Sequence, residues 1–159
     1  MRVKKLKLLT AILSLLFISN LLIYFERYLY VENIDCDSSL SIPIMRDGYN
    51  FSGTIHMTFK PNGSGSVAMT GSLARSGGKQ SYDILRTVYF DYIYDNYSYL
   101  TLSNFVVKKN ITDDTAEALF NNVLFDFSSA SRQIRVEKLN DNAYLIENAF
   151  SPVFICIKK

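Results

Sequence analysis

The stretch FSGTIHMTFKPNGSGSVAMTGSL, residues 51–73, decides the fold of this chain. Apolar residues and glycine alternate with polar residues from Phe51 to Phe59, and apolar residues alternate again from Val67 to Leu73. A period of two is typical of a strand that buries one face. Between the two runs, Pro61–Gly65 is a dense turn signal. The stretch therefore predicts an antiparallel hairpin with one buried face.

The inward face of this hairpin has two interpretations. Gly53 and Gly71 stand inside the strands, where they indicate bends or a close approach of two backbones. Together with the methionines, they could leave an apolar cavity of the kind that binds small molecules inside barrels. The same side chains could instead form a packed core. The residues concerned are Phe51, Ile55, Met57, Phe59, Val67, Met69 and Leu73.

The rest of the chain after residue 30 predicts a mainly β domain with one helix. A lead-in holds a short strand near Leu40–Ile44, which Pro43 confines to a sheet edge. Asp114 and Glu117 have the spacing of a capping box, and an apolar pattern of helical period follows them. The further elements are strands at Gln80–Tyr94 and Tyr97–Lys108, the helix at Thr115–Phe125, and strands at Gln133–Leu139, Ala143–Asn148 and Val153–Ile157. Without the short edge strand of the lead-in, the chain has six or seven antiparallel strands, which predict a meander that closes as a small barrel or a strongly curved sheet.

The second hairpin, residues 80–108, is rich in tyrosine. Tyrosine combines an apolar ring with a polar hydroxyl and is enriched at protein interfaces. Its tyrosines therefore mark a candidate partner surface, which consists of Tyr89, Tyr92, Tyr94, Tyr97 and Tyr99. The apolar positions of the returning strand change face between Leu102 and Phe105, which predicts a bulge.

The segment LKLLTAILSLLFISNLLIYF, residues 6–25, predicts a single transmembrane helix. Four basic residues lie at its N-terminal end, whereas near the other end Arg27 is offset by Glu26 and Glu32. Residues 1–5 are therefore expected in the cytoplasm and residues 26–159 outside. A cleaved signal peptide is the alternative, but no small-residue cleavage site follows the apolar run. Ser19 and Asn20 could hydrogen-bond to a second helix, or Asn20 could lie close enough to the outer interface to be tolerated alone.

The chain has two cysteines, Cys36 and Cys156. In an oxidising compartment such a pair predicts a disulfide. It would close a loop of about 120 residues, for which chain entropy gives roughly 4–5 kcal/mol of stabilisation. It would also tie the first segment of the domain to the last. Two unpaired buried thiols are the alternative.

Motifs and charge argue against catalysis, metal binding and nucleic-acid binding. His56 is the only histidine, so a metal site lacks ligands. It is expected on the surface, or as a group that responds to pH near neutrality. No nucleophile elbow or phosphate loop is present. All 15 acidic residues follow the predicted helix, whereas four of the 17 basic residues lie at or before its second residue, Lys7, so the domain lacks a basic face for nucleic acid. We expect neither an enzyme nor a cofactor.

The chain resembles the FidL-like membrane proteins of enterobacteria. The shared features are a short basic tail, one membrane span and a small exported domain that contains FSGTIHMTFKPNGSGSVAMTGSL. These proteins are usually encoded beside a membrane-bound, ToxR-like transcription regulator, and their layout is similar to that of ToxS-type partner proteins. The resemblance implies a lipocalin-like β-barrel in the periplasm that pairs with the periplasmic domain of the regulator. It also implies a bile-salt or fatty-acid-like ligand in the barrel, and no catalytic residues.

The expected function is that of an accessory or sensor protein, anchored by a single span in the bacterial inner membrane. Its N-terminus is expected in the cytoplasm and its C-terminal domain in the periplasm. Its expected partners are the lipid bilayer and a ToxR-like regulator, which it stabilises or modulates with the help of an apolar ligand. The alternative is a stand-alone lipocalin-like protein that binds a small apolar molecule.

Overall fold

The computed structural model describes residues 12–22, 33–43, 46–78, 80–96, 99–148 and 152–159. The chain divides into two compact units, Met1–Glu32 and Asn33–Lys159. In the first unit, residues 12–22 form helix α1. No helix within these described ranges is both long enough and apolar enough to cross a membrane. The remainder of the predicted span at residues 6–25 lies outside the described residues, and the span stays a prediction.

The second unit is a closed barrel of eight antiparallel strands in sequence order. This confirms the prediction of a mainly β meander that closes on itself. The elements are β1 (Ile34–Ile42), a 3-10 turn (Arg46–Gly48), β2 (Tyr49–Phe59), β3 (Ser64–Arg75), β4 (Ser81–Asn96), β5 (Tyr99–Lys109), α2 (Glu117–Val123), β6 (Ser131–Asn140), β7 (Ala143–Asn148) and β8 (Pro152–Lys158).

Strand β1 corrects the prediction of a lead-in with a short edge strand. It has nine residues and pairs with β2 along its whole length, from Ile34 opposite Phe59 to Ile42 opposite Phe51. Pro43 comes after its last residue, so the missing N–H interrupts no ladder. On its other side β1 pairs with β8 and closes the barrel. The sheet therefore has eight strands instead of six or seven.

Strands β2 and β3 form the first predicted hairpin. Their pairing runs in unbroken register, with Phe51 opposite Leu73 and Gly53 opposite Gly71. A Cβ added to Gly71 would lie 2.7 Å from the Cα of Gly53, which is closer than side chains permit. The two glycines therefore allow a close approach of the two backbones, as the sequence predicts.

Strands β4 and β5 form the second predicted hairpin, and it contains the predicted bulge. The register shifts between the pairs Tyr89–Val106 and Asp91–Ser103. Asn104 in β5 has a φ of 55°, a left-handed conformation that asparagine tolerates better than most residues. The bulge explains why the apolar positions of β5 change face along the strand.

Helix α2 is shorter than predicted and starts without its predicted capping box. It spans Glu117–Val123 instead of Thr115–Phe125, and its N-cap residue makes no side-chain hydrogen bond. The carboxylate of Asp114 accepts a hydrogen bond from a backbone N–H of β4 at 2.6 Å. Glu117 accepts one from the side chain of Arg86, also in β4. The capping-box prediction is wrong because β4 engages both acidic side chains.

The core of the unit is the barrel interior. In β4, the inward-facing Ile84, Val88, Phe90 and Tyr92 are at most 5% exposed, whereas the outward-facing Ile93 is 64% exposed. This alternation follows from the two faces of a strand. Helix α2 adds two buried side chains, those of Phe120 and Val123, to the apolar core.

Candidate functional site

The seven residues predicted on the inward face of the first hairpin do face the barrel interior. Six of them are at most 4% exposed, and Val67 is partly exposed. The ring of Phe51 lies 2.9 Å from where a Cβ of Gly53 would stand, and the ring of Phe90 covers Gly65. Phenylalanine rings thus occupy the space that the glycines leave free. At this hairpin, the structure matches the packed-core interpretation.

The tyrosines of the second hairpin are divided between two faces of the sheet. Tyr89, Tyr94 and Tyr99 are 40–44% exposed, but Tyr92 is only 5% exposed. Tyr97 lies outside the described residues. Because successive residues of a strand point to opposite faces, Tyr92 shares its face with the buried side chains of β4. Tyr92 therefore belongs to the core, which corrects its place in the predicted partner surface.

Tyr92 is held inside the barrel by both its hydroxyl and its ring. The hydroxyl donates a hydrogen bond of 2.6 Å to the carbonyl oxygen of Lys60. The ring lies edge-on to Phe59, with 5.4 Å between the ring centres. Burial, and then the neighbouring Tyr94, raises the pKa of Tyr92 to about 12. The hydroxyl therefore stays protonated, and stays a donor, at physiological pH.

The outward side of β4 and β5 carries a row of exposed apolar side chains, named here the β4–β5 face: Leu85, Tyr89, Ile93 and Val106. They are 36%, 44%, 64% and 54% exposed. Tyr89 and Val106 are direct cross-strand partners. The amino group of Lys108 lies 5.2 Å from the ring centre of Tyr89, within the range of a cation–π contact. A depression of about 250 Å³ borders this face, lined in part by Leu85, Tyr89 and Lys108.

Arg86, which no sequence motif singles out, lies in β4 among the buried side chains. Its side chain is fully buried, and Nε and Nη2 donate to the two carboxylate oxygens of Asp113 at 2.7 and 2.8 Å. Nη1 donates to Glu117 at 2.7 Å, and the guanidinium carbon lies 3.9 Å from the ring centre of Phe120. This network holds α2, and the segment before it, against β4.

Hydrogen bonds keep the buried pair ionised. Burial by itself would raise the pKa of Asp113, but hydrogen bonds from Arg86 and from the N–H of Leu85 hold it below its ordinary value. Burial would lower the pKa of Arg86, but hydrogen bonds to Asp113 and Glu117 raise it. The sequence signal was an arginine at an inward position of an apolar strand. Its main partner lies 27 residues later, where no local pattern points to it.

His56 lies on the outward side of β2, half-exposed, as the sequence predicts. Its Nδ1 is 2.7 Å from a carboxylate oxygen of Asp37, and its Nε2 is 3.5 Å from one of Asp35. Lys159 pairs with Asp37 at 3.1 Å. Hydrogen bonds from Lys159 and then from His56 lower the pKa of Asp37. In the part of the chain that the structure describes, no group of three or more His, Cys, Asp or Glu side chains could hold a metal ion.

Cys36 and Cys156 form the predicted disulfide, with 5.4 Å between their Cα atoms. Both residues are fully buried. The bond joins β1 to β8, the first strand to the last. This seam has few backbone contacts, because β1 and β8 pair only at Cys36–Lys158 and Asp37–Ile157. The disulfide therefore reinforces the point at which the barrel closes.

A chain of ring contacts links the barrel to the segment after α2. Phe105 contacts Phe90 and Phe127, with 6.4 and 5.5 Å between ring centres. Phe127 also stacks on Phe120 and Phe125, at 6.4 and 6.0 Å. Phe105, Phe125 and Phe127 are partly exposed. Phe105 belongs to the part of β5 that β6 leaves unpaired, because β6 starts opposite Ser103.

Ser19 and Asn20 lie on the exposed surface of α1. The Ser19 hydroxyl and the Asn20 amide both donate to the carbonyl oxygen of Leu16, at 3.2 and 2.9 Å. Each side chain is thus hydrogen-bonded within its own helix. A role in pairing with a second membrane helix stays a prediction.

The fold and these surfaces define a class of protein. The second unit is a small antiparallel barrel whose first and last strands share a disulfide, and it exposes apolar side chains on its outward strands. Such a barrel is compatible with a binding domain.

The chain belongs to the FidL-like putative membrane protein family. The family model matches residues 71–156, more than half of the 159 residues. This confirms the family resemblance, although the match begins near the end of the stretch at residues 51–73 that first indicated it. No curated protein matches the chain significantly.

Proposed function

We propose that this chain is an accessory protein of the bacterial inner membrane that associates with a ToxR-like membrane-bound transcription regulator and stabilises or modulates it. Membership of a membrane-protein family supports the membrane setting. The predicted span at residues 6–25 supplies the anchor, with residues 1–5 in the cytoplasm and the barrel in the periplasm. The role is one of binding, without catalysis and without a cofactor.

The β4–β5 face carries this proposal. Leu85, Tyr89 and Ile93 follow one another at every fourth position on the outward side of β4, and Val106 lies beside Tyr89 on β5. The exposed Asp91 lies between Tyr89 and Ile93 on the same side, so the face combines apolar and aromatic side chains with one charge. Tyrosine is enriched at protein interfaces, and polar side chains commonly border their apolar centres. Two proteins in one membrane meet at a high effective concentration. A contact of modest area is therefore sufficient for association.

Co-purification of the full-length chain with the regulator from detergent tests the proposal. We expect Tyr89→Lys to abolish co-purification and to alter the output of the regulator. Leu139→Lys is the matched control, because Leu139 is an apolar residue of β6 that is 48% exposed. A folded Tyr89→Lys protein that still binds would exclude this face as the contact. If the unmodified proteins never associate, and deletion of the chain leaves regulator output unchanged, the proposed function is wrong.

A second candidate function is the binding of a small apolar molecule without any partner. The partly exposed rings of Phe105, Phe125 and Phe127 favour it, because aromatic side chains commonly line ligand sites. Thermal unfolding of the full chain with a bile salt or a fatty acid separates the two functions. Stabilisation that is lost in Phe127→Ala and kept in Leu139→Ala supports direct binding, and no stabilisation by either ligand class contradicts it.

A further inference from the structure

Ile111, in the turn that follows β5, is almost completely exposed. It is 99% exposed, whereas the other large apolar residues among the described part of the barrel unit reach at most 64%, at Ile93. A partner that covers Ile111 removes nearly the whole apolar surface of its side chain from water, and the free energy gained rises with that area. Ile111 therefore offers a partner a large gain in buried apolar area.

Hydrogen bonds on both sides of Ile111 fix the turn. The side-chain oxygen of Asn110 accepts hydrogen bonds from the N–H and the hydroxyl of Thr112, both at 3.1 Å. The N–H of Asn110 donates to the carbonyl of Leu85 in β4 at 2.9 Å, and the N–H of Asp113 donates to the carbonyl of Asn110 at 3.1 Å. The turn is thus organised before a partner arrives, which lowers the entropic cost of binding.

The turn adjoins the β4–β5 face. The hydrogen bond from Asn110 to Leu85 places it beside the first apolar residue of that face. The depression that borders the face is lined by Leu85 and Tyr89 on β4 and by Lys108 and Asn110 on the other side. A partner that covers Leu85 therefore also lies next to the turn.

Lys108 adds a positive charge at the same place. Its amino group lies over the ring of Tyr89, and among the described residues no carboxylate lies within ion-pair distance of it. The neighbouring Lys109, by contrast, lies 3.7 Å from the buried Asp113 and donates to the carbonyl of Thr115 at 2.8 Å. Charges across an interface are arranged to be complementary. The partner that fits this border of the face therefore carries a carboxylate beside its apolar surface.

Charge and position favour a protein over a lipid surface as the partner of this turn. Segments that bind anionic lipid carry clusters of basic residues. Here the exposed Asp83 and Asp114 lie together close to the turn, since the N–H of Asp83 donates to the Asp114 carboxylate at 2.6 Å. Because neighbouring strands are antiparallel, β1 and β5 run in the same direction. The turn after β5 therefore lies at the end of the barrel opposite the start of β1, where the chain enters from the predicted anchor.

We propose that the regulator holds Ile111 in an apolar pocket and places a carboxylate of its own beside Lys108. The apolar contact gives the pair most of its affinity, and the charge selects the partner and its orientation. The inference rests on the proposed function. It extends the contact from the β4–β5 face to the turn, and it states what the surface of the regulator carries there.

Binding of the full-length regulator to the full-length chain in detergent tests the apolar half of this contact. Ile111→Ser should raise the dissociation constant about tenfold or more, because the buried apolar area is lost. The fold should stay intact, since the hydrogen bonds of the turn come from the neighbours of Ile111. Ile155→Ser is the matched control and should leave binding unchanged, because Ile155 is an outward isoleucine of β8 that is 49% exposed.

Reversal of one charge tests the other half. Lys108→Glu should weaken binding about tenfold at low salt and less at high salt, because ions screen the new repulsion between the two carboxylates. Lys60→Glu makes the same change at an exposed lysine that follows β2, and it should leave binding unchanged. Tighter binding of Lys108→Glu would show that the regulator is basic at this point and would overturn the proposal.

A polarity-sensitive fluorophore on the thiol of Ile111→Cys reports what covers the turn. The two native cysteines are joined in the disulfide, so only the added thiol reacts. With the full chain in vesicles of phosphatidylethanolamine and phosphatidylglycerol, the emission should shift to the blue only when the regulator is present. A shift in vesicles without the regulator would assign the turn to the lipid surface. A shift that grows with the concentration of the chain alone in detergent would assign it to a second copy, and either result overturns the proposal.

The outcomes separate this inference from the proposed function. Unchanged binding of either Ile111→Ser or Lys108→Glu refutes the contact at the turn and leaves the proposed function standing, because Tyr89→Lys tests the β4–β5 face itself. Failure of the unmodified proteins to associate refutes both.

Discussion

Arg86 and Asp113 form an ion pair in which two guanidinium nitrogens meet the two carboxylate oxygens at 2.7 and 2.8 Å, with both side chains fully buried. Two-point pairs of this kind are the strongest charge-assisted hydrogen bonds in proteins. The pair joins the middle of β4 to the segment that leads into α2. It therefore connects helix α2 to the sheet. Helix α2 is the one α-helix that the structure describes in the barrel unit.

Replacing Arg86 with methionine should destabilise the protein strongly. The variant Arg86→Met leaves the carboxylate of Asp113 buried without its partner, which costs about 3–5 kcal/mol. Urea unfolding followed by circular dichroism measures the loss. Arg132→Met is the control, because Arg132 is 41% exposed in an ion pair of 3.8 Å and should cost no more than about 1 kcal/mol. Equal losses in the two variants would contradict the role of the buried pair.

Acid should weaken the same contact. The pKa of Asp113 in the folded protein lies below its ordinary value of 3.8, so its ionised form stabilises the fold fully above about pH 4. That contribution is lost as the pH falls through the folded-state pKa. Urea unfolding between about pH 6 and about pH 2 should therefore show a steep decline in stability. Asp113→Asn should be less stable at neutral pH but decline less steeply, and equal slopes would assign the acid sensitivity to other groups, such as Asp37.

Removal of the disulfide should lower the free energy of unfolding by about 4–5 kcal/mol, because its loop encloses most of the barrel unit. The double variant Cys36→Ser/Cys156→Ser tests this by urea unfolding. The unmodified protein under reducing conditions should match the double variant, and a reductant should not affect the double variant, which has no cysteine left. If the free energies of unfolding of the double variant and the unmodified protein differ by less than about 1 kcal/mol, backbone pairing alone holds β1 to β8.

A methyl group at residue 71 should destabilise the first hairpin. In Gly71→Ala the new Cβ would lie 2.7 Å from the Cα of Gly53 and 3.0 Å from the ring of Phe51. Such overpacking typically costs about 1–3 kcal/mol. Gly78→Ala is the control, because the nearest atoms to its Cβ are 3.6 Å away. Thermal unfolding compares the two, and an unchanged midpoint for Gly71→Ala would mean that the backbones can separate at no cost.

Local patterns predicted most of the strands, the first hairpin and the bulge. The burial of Tyr92 could also have been read from the sequence, because it shares its parity with Ile84, Val88 and Phe90. The two-residue period of the strand places Tyr92 on the buried face, whereas Tyr94, which has the same parity, is still 42% exposed. Strand β1 ends at Ile42, directly before Pro43, whereas the predicted strand included Pro43 and began only at Leu40.

The start of α2 and the pairing of β1 with β8 were harder to predict, because both depend on residues that are far apart in the chain. Asp114 and Glu117 have the spacing of a capping box, yet β4 competes for both of them. The helix therefore starts without that cap. The short pairing between β1 and β8 has no sequence signature either. Its length is set only when the barrel closes.

The sequence by itself determined the alternating strands, the turns between them, the two cysteines that could pair and the family. These depend on neighbouring residues or on compartment, and they can be recognised without a partner. Only the tertiary structure decided that Arg86 meets Asp113, that rings fill the space beside the glycines of the first hairpin, and that β1 meets β8 at Cys36 and Asp37. The physical reason is that burial and strand pairing bring together residues far apart in the chain, and closure of the sheet selects which of them meet.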